Sequence, residues 1–298
     1  IRAAFHPLQE NFVTACDDGN VRVWDAETRL PIGQPLLHSN AVGAVAYSPD
    51  GTRVLTGGDG RGARIWRLAE RGVAAAAISL RQDAQGQLAS YSPDGRFILS
   101  GNTLYETDTG LRIAILEKTG TLDAKAFRRD GKQVLAAMGT SARVWDLESR
   151  TLLPAPEFPH DDRLFDVRFS TDDRYVLNCG RARTVRLWDA GSGEPIGHPI
   201  RRDSWIRAIA FSPDARHFVI GTENGTVEAF ETRTLQRIGR TVRHDDTVWS
   251  IAFHPDGRQF ATASEDQTVR FWDLETLQSS RRPLQHTSLV TCVDWSAD

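Results

Sequence analysis

Short apolar runs with alternating character recur along the chain, each bounded by Pro, Gly, Asp or Asn. The clearest set lies near the C-terminal end. Val248-Trp249-Ser250-Ile251-Ala252-Phe253 reads as a strand that stops at His254-Pro255-Asp256-Gly257. Proline fixes φ and glycine accepts positive φ, so that tetrapeptide suits a tight turn. A second strand follows over 259–263. Glu265-Asp266-Gln267 turns the chain into a third over 268–272, and a fourth runs over 278–284. No segment sustains a helical period, and turn signals arrive about every 8–12 residues, the punctuation of an all-β array.

The same block returns along the chain. Phe253-His254-Pro255 leading to Val269-Arg270-Phe271-Trp272-Asp273 is matched by Phe5-His6-Pro7 leading to Val21-Arg22-Val23-Trp24-Asp25. It is matched again by Tyr47-Ser48-Pro49-Asp50-Gly51 leading to Ala63-Arg64-Ile65-Trp66-Arg67. Weaker copies end at Tyr105-Glu106, Trp145-Asp146, Trp188-Asp189 and Phe230-Glu231. The seven aromatic anchors, 24, 66, 105, 145, 188, 230 and 272, are spaced by 42, 39, 40, 43, 42 and 42 residues. A period of about 40–45 residues closing on Trp-Asp is that of a propeller blade. The expected fold is all-β: a seven-bladed β-propeller of four-stranded antiparallel blades. Its blades would span 1–37, 38–77, 78–117, 118–159, 160–201, 202–243 and 244–285.

In these motifs the chain resembles the WD-repeat β-propeller family over essentially its whole length. The resemblance implies a buried hydrogen-bonded tetrad in each blade, and the last repeat matches it fully with His244, Thr262, Asp266 and Trp272. A buried indole N–H left unpaired costs about 1–3 kcal/mol, and a hydroxyl, an imidazole and a carboxylate satisfy it in series. The first repeat offers Thr14, Asp18 and Trp24. The second offers His38, Thr56 and Trp66, with Gly60 at the Asp position and Asp59 one place early. The fifth keeps His160 and Trp188 but has Ala182 in place of Asp. The sixth has Arg202 for His and Phe230 for Trp. The third and fourth lack most of the tetrad, and from Pro93 to Tyr105 the third is five residues short. These two are expected to be the least stable blades.

Both ends of the sequence fall inside a first strand, so the chain reads as a fragment of a longer array. Residues 286–298 repeat the start of a blade. They are expected to form an extra inner strand that closes the ring on the first blade and brings His286 to Thr14, Asp18 and Trp24.

Composition narrows the function. The 298 residues are 40% hydrophobic and 25% charged, with 36 basic against 39 acidic side chains and a net charge of −3. That balance argues against nucleic acid as a partner. The longest small-apolar run, Val73 to Ile78, is far short of the roughly 18 residues a membrane span needs. Cys16, Cys179 and Cys292 form no C-x-x-C pair and read as buried or half-buried thiols of a reducing, cytoplasmic setting. No metalloprotease, nucleophile-elbow or P-loop pattern occurs, and four of the eight histidines sit at tetrad positions. Neither a catalytic residue, a metal nor a cofactor is predicted.

The resemblance also implies where a partner binds. Family members use the top face, just before and at the start of each first strand and just before the tetrad Asp. The first set maps to Ala41 and Gly43, Arg163 and Phe165, Trp205 and Arg207, and Thr247 and Trp249. The second maps to Asp17, Asp59, Arg181, Glu223 and Glu265. Blades five to seven thus interleave aromatics with arginines. The expected function is a non-enzymatic scaffold, monomeric as an isolated domain, that binds a protein or peptide through Arg163, Phe165, Arg181, Trp205, Arg207, Glu223, Trp249 and Glu265. The alternative is a small-ligand or metal-binding propeller enzyme that uses the channel mouth. The runs Gly33-Gln34-Pro35-Leu36-Leu37-His38 and Arg282-Pro283-Leu284-Gln285-His286 resemble bacterial arrays that follow a serine/threonine kinase or another signalling domain.

Overall fold

Alternation, not helical periodicity, governs the chain, and the structure follows it. The computed structural model describes residues 2–16, 18–38, 41–58, 62–68, 74–81, 89–116, 122 and 124–295, and among them there are strands and no helix. The chain divides into two compact units, residues 1–122 with 296–298, and residues 123–295.

The first unit holds three sheets. They are β1 (Arg2–Phe5), β2 (Asn11–Ala15), β3 (Asn20–Asp25) and β4 (Pro31–Leu37), then β5 (Val42–Tyr47), β6 (Arg53–Gly58), β7 (Gly62–Leu68) and β8 (Ala74–Arg81), then β9 (Ala89–Tyr91), β10 (Phe97–Ser100), β11 (Thr103–Glu106) and β12 (Arg112–Ile115). The second unit holds four. They are β13 (Ala124–Phe127), β14 (Gln133–Met138), β15 (Ser141–Asp146) and β16 (Thr151–Pro159), then β17 (Leu164–Phe169), β18 (Tyr175–Gly180), β19 (Thr184–Asp189) and β20 (Pro195–Arg201). The last two sheets are β21 (Ile206–Phe211), β22 (His217–Thr222), β23 (Thr226–Glu231) and β24 (Arg237–Arg243), and β25 (Val248–Phe253), β26 (Gln259–Ser264), β27 (Thr268–Asp273) and β28 (Leu284–Gln285). Every sheet keeps chain order and pairs antiparallel, which makes the fold the seven-bladed β-propeller that the repeat predicts.

Strand alternation builds the core between neighbouring blades of a unit. Leu177, Cys179, Val185 and Leu187 on one sheet meet Ile209, Phe218, Ile220 and Phe230 on the next. Val219, Val227 and Ala229 in turn meet Val248, Phe260 and Trp272. Each large apolar side chain buried this way contributes about 1.5–3 kcal/mol.

Three expectations need correction. The fourth strand of the last blade is not continuous over 278–284. It is reduced to β28 and an isolated bridge between Trp272 and Ser279. Pro283 has no N–H to donate, and the Ser279 hydroxyl bonds the Arg281 carbonyl at 2.7 Å instead of leaving it to the ladder.

The extra inner strand does not form in the described part of 286–298. β1 fills that place, paired with β2 from Arg2 opposite Ala15 to Phe5 opposite Phe12. The end of the segment lies instead along β25, where Val293 N–H donates to Ser250 Oγ at 3.3 Å, while Val290 N–H bonds the Ser264 carbonyl at 3.0 Å. Val290, Val293 and Trp295 cover Ala261, Ala263, Val269 and Phe271. The Trp295 indole N–H donates to the Ala252 carbonyl at 3.0 Å. Those three side chains repeat Val248, Ile251 and Phe253 at a 42-residue interval, so the segment finds apolar partners on the seventh sheet without a strand partner. His286 is exposed, and its ring makes no hydrogen bond to a described residue.

The cysteines also differ from expectation. Cys179 is buried and Cys16 half-buried, but Cys292 is exposed.

Candidate functional site

Three β-bulges assemble the site. The ladder between the first and second strands slips between Leu164 and Asp166, between Ile206 and Ala208, and between Val248 and Ser250. The extra residues are Phe165, Arg207 and Trp249. A bulge residue leaves the alternation, so its side chain is re-aimed. Consecutive blades therefore bring these three together. The Arg207 guanidinium carbon lies 4.3 Å from the Phe165 ring centre, 5.3 Å from Trp249 and 4.9 Å from Trp205. β5 slips in the same way between Val42 and Ala44, but the bulge residue there is Gly43, which offers no side chain.

The residues before the tetrad Asp position are tied to the residues before the first strand by one repeated bond. Arg181 N–H donates to the Arg163 carbonyl, Glu223 N–H to Trp205, and Glu265 N–H to Thr247, at 2.8, 2.8 and 2.9 Å. Glu223 is thereby placed to pair with Arg207 at 3.0 Å. Glu265 accepts the Trp249 indole N–H at 3.2 Å. Arg181 reaches the next blade, its guanidinium 5.1 Å from the Trp205 ring centre. Phe165 and Trp205 pack ring against ring at 5.8 Å. Arg207 Nε is buried without an acceptor, so aromatic faces and Glu223 hold this guanidinium.

The cluster is part buried and part open. Phe165, Trp205, Arg207, Glu223 and Glu265 are half-buried; Arg163 and Arg181 are exposed, and Trp249 retains 38% of its surface. Trp205 and Trp249 are thus not simply inter-blade core. Asp17 and Asp59, two further candidates, lie outside the described residues. Sequence reasoning missed Asp166 and Arg168, which flank the first bulge and pair at 3.2 Å. Burial holds the Asp166 carboxyl above its ordinary range, against the opposing pull of Arg168.

The tetrads hold the blades behind this surface. In blade seven Trp272 Nε1 donates to Thr262 Oγ1 at 2.8 Å, Thr262 meets His244 Nε2 at 2.7 Å, and His244 Nδ1 meets Asp266 at 2.8 Å. A neutral imidazole with its proton on Nδ1 satisfies every partner. Blade two keeps Trp66, Thr56 and His38 in line at 2.8 and 2.5 Å, and Gly60 falls outside the described residues. Blade one joins Trp24 to Thr14 at 2.8 Å, while Asp18 accepts from the Asn20 backbone and side chain. In blade five His160 turns to Thr184, and the Trp188 indole N–H is buried without an acceptor. Asn178 stands at the Thr position there and uses its amide on the Phe158 carbonyl. Blade six replaces the polar chain with a buried Glu228 held by Arg202 and, at 3.3 Å, by Arg237.

Among the described residues no three His, Cys, Asp or Glu side chains converge closely enough to hold a metal ion. No described helix is long and apolar enough to cross a membrane.

A family model described as "WD domain, G-beta repeat" matches residues 1–25, 34–67, 154–189, 193–230 and 236–273. A guanine nucleotide-binding protein subunit beta of Zea mays is 26% identical over 209 residues, 64% of this chain and 55% of the maize protein. The meiotic recombination protein rec14 of Schizosaccharomyces pombe is 32% identical over 156 residues, 46% of this chain and 47% of that protein. Protein groucho of Drosophila melanogaster is 34% identical over 67 residues, 22% of this chain and 9% of the fly protein. The chain thus spans about half or less of the length of these relatives, all of which are eukaryotic.

Proposed function

The chain belongs to the WD-repeat β-propeller family, and we propose that it is a non-enzymatic interaction module that binds a protein or peptide on the arginine–aromatic cluster of blades five to seven. The observation that carries this reading is the convergence of Phe165, Trp205 and Trp249 around Arg207, with Trp249 still 38% exposed. Trp and Arg dominate binding hot spots because they combine large contact area with hydrogen-bond donors. Bulged backbones and the repeated turn bonds hold these side chains ready, so little conformational entropy is lost when a partner docks. The maize relative is by name a subunit, a protein that works in an assembly.

The test is affinity capture with the wild type and the triple variant Trp205→Ala, Arg207→Ala, Trp249→Ala, after circular dichroism has shown that the variant is folded. Each hot-spot side chain is worth about 2 kcal/mol or more. Specific partners should therefore be lost from the variant. Partners retained at equal yield would remove the function from this cluster.

A further inference from the structure

The cluster's three arginines, Arg163, Arg181 and Arg207, outnumber its two acids, Glu223 and Glu265, and this excess of positive charge identifies its partner. Arg207 is neutralised by Glu223 at 3.0 Å. Glu265 has its hydrogen bond from the Trp249 indole. Arg181 is different: among the described residues it has no acidic partner. Its guanidinium lies over the Trp205 ring, and no carboxylate among the described residues accepts from its N–H groups. Its backbone is pinned to the Arg163 carbonyl, so the base of the side chain is fixed.

We infer, on the basis of the binding reading above, that this surface recognises an acidic peptide segment, with a carboxylate on the edge of Arg181 and a neighbouring apolar side chain on the open face of Trp249. The chemistry follows from what is unmatched. A planar guanidinium presents parallel N–H donors that a carboxylate accepts two at a time. Trp249 offers the only strongly exposed aromatic surface of the cluster's described residues. A cationic partner is disfavoured twice. Arg181 repels it, and the Trp205 ring it would use already carries two guanidinium groups, those of Arg181 and Arg207.

The experiment is selection of a phage-displayed library of random peptides on the immobilised wild-type chain. Enriched peptides are then synthesised and titrated by fluorescence anisotropy against wild type, Arg181→Ala, Arg181→Glu and Trp249→Ala, each checked for an unchanged melting temperature. Wild type should enrich Asp or Glu beside an apolar residue. Arg181→Ala should bind those peptides about ten- to a hundredfold more weakly, the worth of a charge-assisted hydrogen-bonded pair. A fresh selection on Arg181→Glu should favour Lys or Arg in place of the acid. Neutral or basic peptides on the wild type, lost with Trp249→Ala but indifferent to Arg181, would overturn the acidic assignment while leaving the binding surface in place. Acidic peptides indifferent to both substitutions, or no enrichment at all, would overturn the assignment together with the surface on which it rests.

Discussion

Thr262 joins two buried nitrogens that would otherwise be stranded. It accepts the Trp272 indole N–H and donates to His244, which passes the chain on to Asp266. The two ends respond to acid in the same direction. Burial would raise the Asp266 carboxyl, but bonds from Thr268, the Asp245 N–H and His244 outweigh it and hold the group at about 2. Burial lowers His244 despite Asp266 beside it, lowers His6 and His160, and brings His38, which also faces Arg64, to about 4. A histidine lowered on folding contributes fully above its ordinary 6.5 and loses that contribution as pH falls toward its folded value. An aspartate lowered on folding contributes above its ordinary 3.8 and loses it as pH falls through about 2. The histidines should therefore make the melting temperature decline as pH falls from 6.5 to 4. It should decline again below 4. His38→Gln should flatten part of the first decline; a first decline unchanged by that substitution would show that His38 does not titrate as described.

A blade is four strands and one polar chain, and blade five has the strands without the chain. Asn178 occupies the place of Thr262, but its amide turns to the Phe158 carbonyl and leaves its own Oδ1 and the Trp188 indole buried without partners. Ala182 cannot supply the carboxylate that Asp266 does. The double substitution Asn178→Thr, Ala182→Asp should rebuild the chain through His160 and stabilise the protein by about 1–3 kcal/mol, the cost of the stranded indole. A chemical denaturation midpoint at or below wild type would sink this account. The broken tetrad was legible as sequence because the residue types are wrong at known offsets. So were the strands and the blade count, since alternation and a period near 42 residues survive even where the motif decays. The bulges at Phe165, Arg207 and Trp249 were not legible: an extra residue is defined by the partner strand and leaves no local signature. The route of 286–295 was not legible either, because Val290, Val293 and Trp295 carry the same pattern whether they enter a strand or only lie on a sheet.

The propeller is an array in which a blade leans on its neighbours, so stability is close to a sum of blade and interface contributions. The weakest blade then opens first, and the short strands of blade three make it the expected place of that opening. Its strands have three or four residues where those of blade six have six or seven. Its central hairpin turns through Gly101 at φ 59° and is too short to carry the longer ladder. Tyr105 replaces the anchoring Trp, and the Tyr91 and Thr107 hydroxyls are buried without partners. Against this stand the buried Phe97, Ile98, Leu99 and Leu104, and an ion pair from Arg53 to Asp108 at 2.7 Å. Asp108 is largely exposed, so that pair contributes no more than about 1 kcal/mol. The missing ladder bonds decide the balance, since a net backbone hydrogen bond is worth about 1 kcal/mol and several are absent. Native-state hydrogen exchange reads this directly. The amides of Leu99 and Leu104 should be protected at least about tenfold less than those of Val219 and Ala229, which hold the same ladder positions in blade six. Equal protection in the two blades would mean that apolar packing alone carries blade three, and that strand length does not set where the array first opens.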